Sequence, residues 1–125
     1  MLTDDYTNRV YEEMMPTAEM LQCIKDCTGC HTICLRTAMH FLQIVSKHAE
    51  ATHLRLMLDC SDICETNANF MVRGSNLHRL TCAVCADVCE QCAQECERFA
   101  EDGQMKACAD ACRTCAASCR RMSGK

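Results

Sequence analysis

Along most of this chain, sulfur-bearing and apolar side chains recur every third or fourth residue, with polar and charged residues between them. That is the period of one buried face of an α-helix, not the alternation of a strand. Cysteine makes up most of the stripe, in four blocks. Cys23, Cys27, Cys30 and Cys34 are spaced by 4, 3 and 4; Cys60 and Cys64 by 4. Cys82, Cys85, Cys89, Cys92 and Cys96 are spaced by 3, 4, 3 and 4, and Cys108, Cys112, Cys115 and Cys119 by 4, 3 and 4. Four such blocks predict four helices, each turning its sulfurs toward a shared axis.

The stripe runs past the cysteines in both directions. It includes Met20, Ala38, Phe41 and Val45 in the first block, and His53, Met57, Asn67 and Met71 in the second. His78 begins the third, and Met105 and Met122 bracket the fourth. A second row, Ile24, Leu35, Met39 and Leu42, and a heptad row, Leu56, Ile63 and Phe70, suit packing between helices or a subunit interface.

Breakers place the boundaries. Helix 1 is expected over about 16–47 with Pro16 in its first turn, where a missing N–H costs nothing. Helix 2 is expected over about 50–72. Gly74 is a C-cap candidate, and Ser75 or Asn76 a candidate N-cap for helix 3, which runs to about Ala100. Glu101-Asp102-Gly103 separates it from helix 4, which ends near Met122. The expected fold is all-α: an antiparallel, up-down-up-down four-helix bundle over 16–125, with 1–15 as an N-terminal arm or short helix.

Composition narrows the chemistry. The chain has 125 residues, 15 of them cysteine, with one proline and four glycines. So much cysteine in a short chain usually marks a secreted disulfide scaffold. Here the count is odd, turn residues are scarce, and the opening MLTDDYTNRVYEEMM has neither a basic nor an apolar segment of a secretory signal. A cytoplasmic chain with reduced thiols is expected. A net charge of −4 argues against nucleic acid, and no apolar run reaches the roughly 18–20 residues of a membrane span. With no nucleophilic triad, phosphate loop or carboxylate pair, no enzyme is expected.

One or two buried cysteines are ordinary core filling. Fifteen on a single phase are not, because thiols bury less apolar area than leucine would. Thiolates and thioethers select Cu(I), zinc or iron–sulfur clusters. A continuous column suits Cu(I), which takes few ligands and accepts sulfurs shared between neighbouring ions. Zinc or iron–sulfur binding is the alternative, each needing four ligands gathered at a point. The candidate ligands are the 15 cysteines with His53, Met57, Met105, Asn67 and His78. The two histidines also fit plain helix-end residues, the methionines core filling, and Asn67 an interhelical hydrogen bond. His31, His40 and His48 lie off the stripe.

The segments CTGCHTICL, LDCSDIC, CAVCADVCEQCAQEC (82–96) and MKACADACRTCAASCRRM (105–122) resemble the bacterial copper storage proteins. The resemblance implies a four-helix bundle binding many Cu(I) ions, with copper as its partner and a homo-oligomer, a tetramer, as its assembly. It also implies the cytosolic branch. Met20, His53 and Met105 stand where relatives carry further cysteines, and FAEDGQ (99–104) replaces a histidine-rich approach to helix 4. By resemblance, copper enters at the end holding His53, Met57 and Met105, although Phe41 and Phe99 lie there too. The opposite end gathers Met20, Asn67, Met71, His78 and Met122.

Overall fold

The computed structural model describes residues 8, 9, 15–44 and 51–124. Four helices make up the bundle: α1 Ala18–Ile44, α2 Ala51–Val72, α3 His78–Glu97 and α4 Gly103–Ser123. The expected arm over 1–15 and the turn between helices 1 and 2 lie largely outside the described residues.

Each helix forms because its 3/4 stripe has an apolar surface to meet. The stripe residues from Cys23 to Phe41 and those of the other three helices are buried, whereas the intervening charged residues are exposed or half-buried. Cross-helix pairs set the register. Phe41 meets His53 while Asn67 reaches Cys27, so α1 and α2 run in opposite directions. Cys60 contacts Cys89 while Met71 contacts Cys82. Arg113 pairs with Glu97 and Arg120 with Glu90, tying α4 against α3. Cys34 meets Cys108 while Cys23 meets Cys119, closing the square between α1 and α4. The bundle is therefore antiparallel throughout, with one sulfur-lined core along its axis.

The ends differ in detail from the sequence expectation. α1 starts at Ala18, after Pro16, because the Thr17 hydroxyl caps it by accepting the Met20 N–H at 3.1 Å. Gly74 does stop α2: at φ 69° it lets Ser75 N–H reach the Phe70 carbonyl at 2.9 Å and Gly74 N–H that of Met71 at 3.1 Å. Neither Ser75 nor Asn76 is the N-cap of α3. Leu77 holds that position without a side-chain bond, and the Ser75 hydroxyl accepts the Leu77 N–H instead. α3 ends at Glu97, not Ala100, since tight turn bonds from Phe99 to Cys96 and from Ala100 to Glu97 replace the helical ladder.

Asp102 is the N-cap of α4. Its carboxylate accepts from Gln104 N–H at 2.9 Å, Met105 N–H at 3.0 Å and the His40 ring at 2.8 Å. The His40 bond, then the Met105 N–H, hold this carboxyl below its ordinary range. A lowered folded-state pKa means stability that is present at neutral pH and lost as pH falls through that value. Asp102→Ala should lower the apo melting temperature by a few degrees at neutral pH. The gap from the unaltered chain should close in acid, as read by circular dichroism at several pH values.

Candidate metal centre

The 15 cysteines are all reduced and all buried, none more than 1 % exposed. Antiparallel packing interleaves the four stripes, so sulfurs from different helices meet at each level. Cys30 Sγ lies 3.7 Å from Cys112 and 3.9 Å from Cys60. Cys64 Sγ lies 3.6 Å from both Cys85 and Cys89, and Cys27 is 3.6 Å from Cys115. These gaps are far longer than the roughly 2.05 Å of a disulfide. Two thiolates about 2.3 Å from one ion stand about 3.8 Å apart in a tetrahedron and about 4 Å apart in a trigonal plane. The apo spacing is already that of sulfurs bridged by metal.

The sulfurs form a chain of overlapping groups. Five sets of four have every Sγ within 4.8 Å of the others: Cys27/Cys85/Cys115/Cys119, Cys64/Cys85/Cys89/Cys115, Cys30/Cys60/Cys64/Cys89, Cys30/Cys34/Cys60/Cys112 and Cys34/Cys92/Cys108/Cys112. In that order each set shares two cysteines with the next. The arrangement is a column of edge-sharing cages, not a set of separate sites. Cys23 extends it at one end, 3.8 Å from Cys119. Cys96 lies at the other, hydrogen-bonded to Cys108 and Cys92.

Hydrogen bonds among the thiols sort their acidities. Bonds from Cys115, then Cys119, lower the pKa of Cys27, and bonds from Cys119, then Cys23, lower that of Cys82. Cys34 and Cys112, bonded first to Cys108, and Cys64, bonded first to Cys115, are pushed well above the ordinary thiol range. A dry core of many thiols keeps most of its protons, because each further thiolate adds an unbalanced buried charge. A bound cation removes that cost by replacing a proton.

Asn67 stands on the column, fully buried. Its amide donates to Cys27 Sγ at 3.4 Å and Cys119 Sγ at 3.5 Å. Its carbonyl accepts from the Thr81 hydroxyl at 2.7 Å and the Cys82 thiol at 3.3 Å. It makes interhelical hydrogen bonds of the kind the sequence allows, and it stands at a level of the column where the other helices supply sulfurs. Thr81, its partner, is not on the stripe, so the 3/4 period gives no sign of it. Asn67→Cys should raise copper capacity by about one ion per chain, since it restores a soft ligand to the column. Copper counted per chain after anaerobic loading measures this.

The two ends of the column are unlike. At one end His53, Met57, Met105 and Phe41 are buried. The His53 ring is 4.5 Å from the Phe41 ring and 5.2 Å from that of Phe99, which themselves meet at 5.6 Å. His53 Nδ1 lies 3.6 Å from a Glu95 carboxylate oxygen. At the other end Met71 and Met122 are buried, and Met20 is partly so. A cavity of about 340 Å³ opens there, with Met20, Met71 and His78 in its lining. Of the off-stripe histidines, His31 bonds to Ser61 and His40 to Asp102. His48 lies outside the described residues.

Residues 12–124 match the family described as Copper storage protein. Among solved structures, the chain is 44% identical to Nmul_A1745 of Nitrosospira multiformis, covering 85% of this chain and 95% of that one, with a TM-score of 0.78. It is 34% identical to the Cu(I)-bound copper storage protein BsCsp3, covering 84% and 98%, TM-score 0.78. It is 30% identical to the copper storage protein Ccsp of Streptomyces lividans, loaded with 10 copper equivalents, covering 85% and 84%, TM-score 0.80. A copper storage protein of that organism is described as cytosolic. A cysteine-rich protein of Bacillus subtilis, YhjQ, is 37% identical over 70 residues, and the chain spans 58% of that curated relative's length.

Proposed function

The chain belongs to the copper storage protein family, and on that premise we propose that it stores Cu(I) as a chain of ions held by the thiolates of its core. The observation that carries this reading is the column of five edge-sharing sulfur cages. Edge sharing brings neighbouring ions close together. At equal distance two dications repel four times as strongly as two monocations, so filling adjacent cages favours Cu(I) over Zn(II). Charge balance points the same way. One monovalent ion per thiolate leaves the dry core neutral, whereas a few zinc ions leave it with unbalanced thiolates or residual thiols.

We assign the ligand role to the 15 cysteines, with Met57, Met71, Met105 and the two core histidines as flanking groups at the ends. The storage unit is the bundle of α1–α4. A cytosolic setting is supported by the cytosolic relative. Among the described residues, no helix is long and apolar enough to cross a membrane. A homo-oligomer is supported by Leu35, Met39 and Leu42 on α1 and by Leu77, Leu80 and Val84 at the start of α3, all large apolar residues left exposed. Binding and release need only ligand exchange, so the reading invokes no catalytic step.

The test is competition. Reduced protein is titrated without oxygen with Cu(I) buffered by a chelator, and separately with Zn(II). Retention of many copper ions, with zinc saturating at about four, is the expected result. Copper uptake that stops at one to four ions per chain would overturn storage and restore a zinc or iron–sulfur reading.

A further inference from the structure

The end of the bundle that holds the α2–α3 turn has what a point of copper exchange needs. The cavity of about 340 Å³ there is lined by Met20 from α1, Met71 from α2 and His78 from α3. His78 is 9 % exposed. Its Nδ1 lies 3.0 Å from the Ser75 carbonyl, which can only accept, so Nδ1 carries a proton. In the neutral ring that leaves a lone pair on Nε2. This atom is buried without a hydrogen-bond partner. A backbone carbonyl holding one ring nitrogen while the other waits unpartnered is the usual support of a metal-ligating histidine. The support comes from the Gly74 turn, whose left-handed residue sets the path of Ser75. Directly inward, Met71 Sδ lies 3.9 Å from the Cys82 thiol, so cavity and column touch through sulfur.

Among the described residues, the opposite end offers no such path: the cavity of about 420 Å³ beside Phe99 has no histidine, methionine or cysteine in its lining. His53 there is sealed between Phe41 and Phe99, and Met57 and Met105 are wholly buried.

We propose that Cu(I) enters and leaves the column through the His78/Met71/Met20 cavity, held in passing by His78 Nε2 and the two thioethers before it reaches Cys82 and Cys23. The inference rests on the storage reading above. The cavity lining includes one charged side chain, Arg73, and no carboxylate. Its guanidinium lies 4.5 Å over the Phe70 ring. A lining with that charge suits an anionic carrier, a Cu(I) ion bound by two small-molecule thiolates, better than the bare cation. The exchange balances without electron transfer. Two carrier Cu–S bonds break and two protein Cu–S bonds form, and the protons of two protein thiols leave with the two carrier thiolates. Neutral imidazole and thioether ligate without first losing a proton, which suits them to the intermediate step.

The experiment follows loading by stopped flow from Cu(I)–glutathione into reduced full-length protein, with copper per chain counted at the end. His78→Leu with Met71→Leu should slow loading about tenfold or more while final capacity stays within an ion or two of the unaltered chain. His78→Met, which keeps a soft ligand but not the ring, should regain most of the rate. A merely structural histidine would show no such rescue. Circular dichroism confirms that each variant is folded. Unchanged rates in the His78 and Met71 variants would overturn the proposal. So would slowing by Met57→Leu with Met105→Leu instead, or a failed rescue by methionine. Failure of storage itself looks different: the unaltered chain would then take up only one to four ions.

Discussion

Titrated with Cu(I) in the absence of oxygen, the reduced chain takes up on the order of 15 ions, one for each cysteine. The number follows from charge as much as from geometry. Every sulfur is buried, and an unbalanced charge in a dry interior costs several kcal/mol even after relaxation. Each thiolate therefore needs one positive charge, from a proton or from a copper ion. Since adjacent cages share two sulfurs, bridging lets each ion find more than one ligand without exceeding that ratio. Capacity is then a property of the column and not of any pair. Cys85→Ala with Cys89→Ala removes members of three adjacent cages, yet it should lower capacity only by about two to four ions and leave both flanks loading. Loss of all copper binding in that variant would mean a single nucleating site. A loss of nothing would mean that these cages stay empty. Elemental analysis of desalted, loaded protein distinguishes the three outcomes.

Much of this was legible in the spacing of the cysteines. A run of 3 and 4 admits one face of one helix, so depth in the core could be read directly from sequence for Cys23 to Cys119. The stop at Gly74 was equally readable, because a glycine after a long periodic run is the residue a left-handed cap requires. Contacts across the bundle were not readable. Periodicity says that Asn67 is inside but not that Cys27, Cys119, Thr81 and Cys82 surround its amide. That depends on how far α1, α3 and α4 are slid along the axis. The same holds for Phe41, His53 and Phe99, which come from three segments and meet only at one register. The N-cap role of Asp102 was hidden differently. Glu101-Asp102-Gly103 reads as a breaker, and the signal that it also starts a helix is the capping residue placed just before the Met105 stripe. The orientation of His78 was the least accessible of all, since it hangs on a carbonyl in the turn.

The second large effect is on stability. The apo chain is expected to be folded, with strong helical circular dichroism, because its stripes are buried without metal. It should be only modestly stable, since thiols supply less hydrophobic stabilisation than leucine at the same positions. One site held at a free ligand concentration a thousand times its dissociation constant adds about 4 kcal/mol, against a total of about 5–15 kcal/mol for a typical domain. Two or three such ions would therefore double the stability. At about 4 °C per kcal/mol for a chain of this size, the melting temperature should rise by more than about 20 °C on full loading. The unfolded chain also carries thiols and also binds Cu(I), which reduces the gain. It cannot hold the shared cages, because Cys30, Cys60 and Cys112 come from three helices and lie within 4 Å only in the native register. The rise should accordingly be cooperative. The first ions add less than the later ones, because shared sulfurs gain their second metal only as neighbouring cages fill. Melts recorded at increasing copper, and again after a strong chelator strips it, test this. A melting temperature that does not move on loading would mean that copper binds folded and unfolded chains alike, and that the native column adds nothing to its hold on the metal.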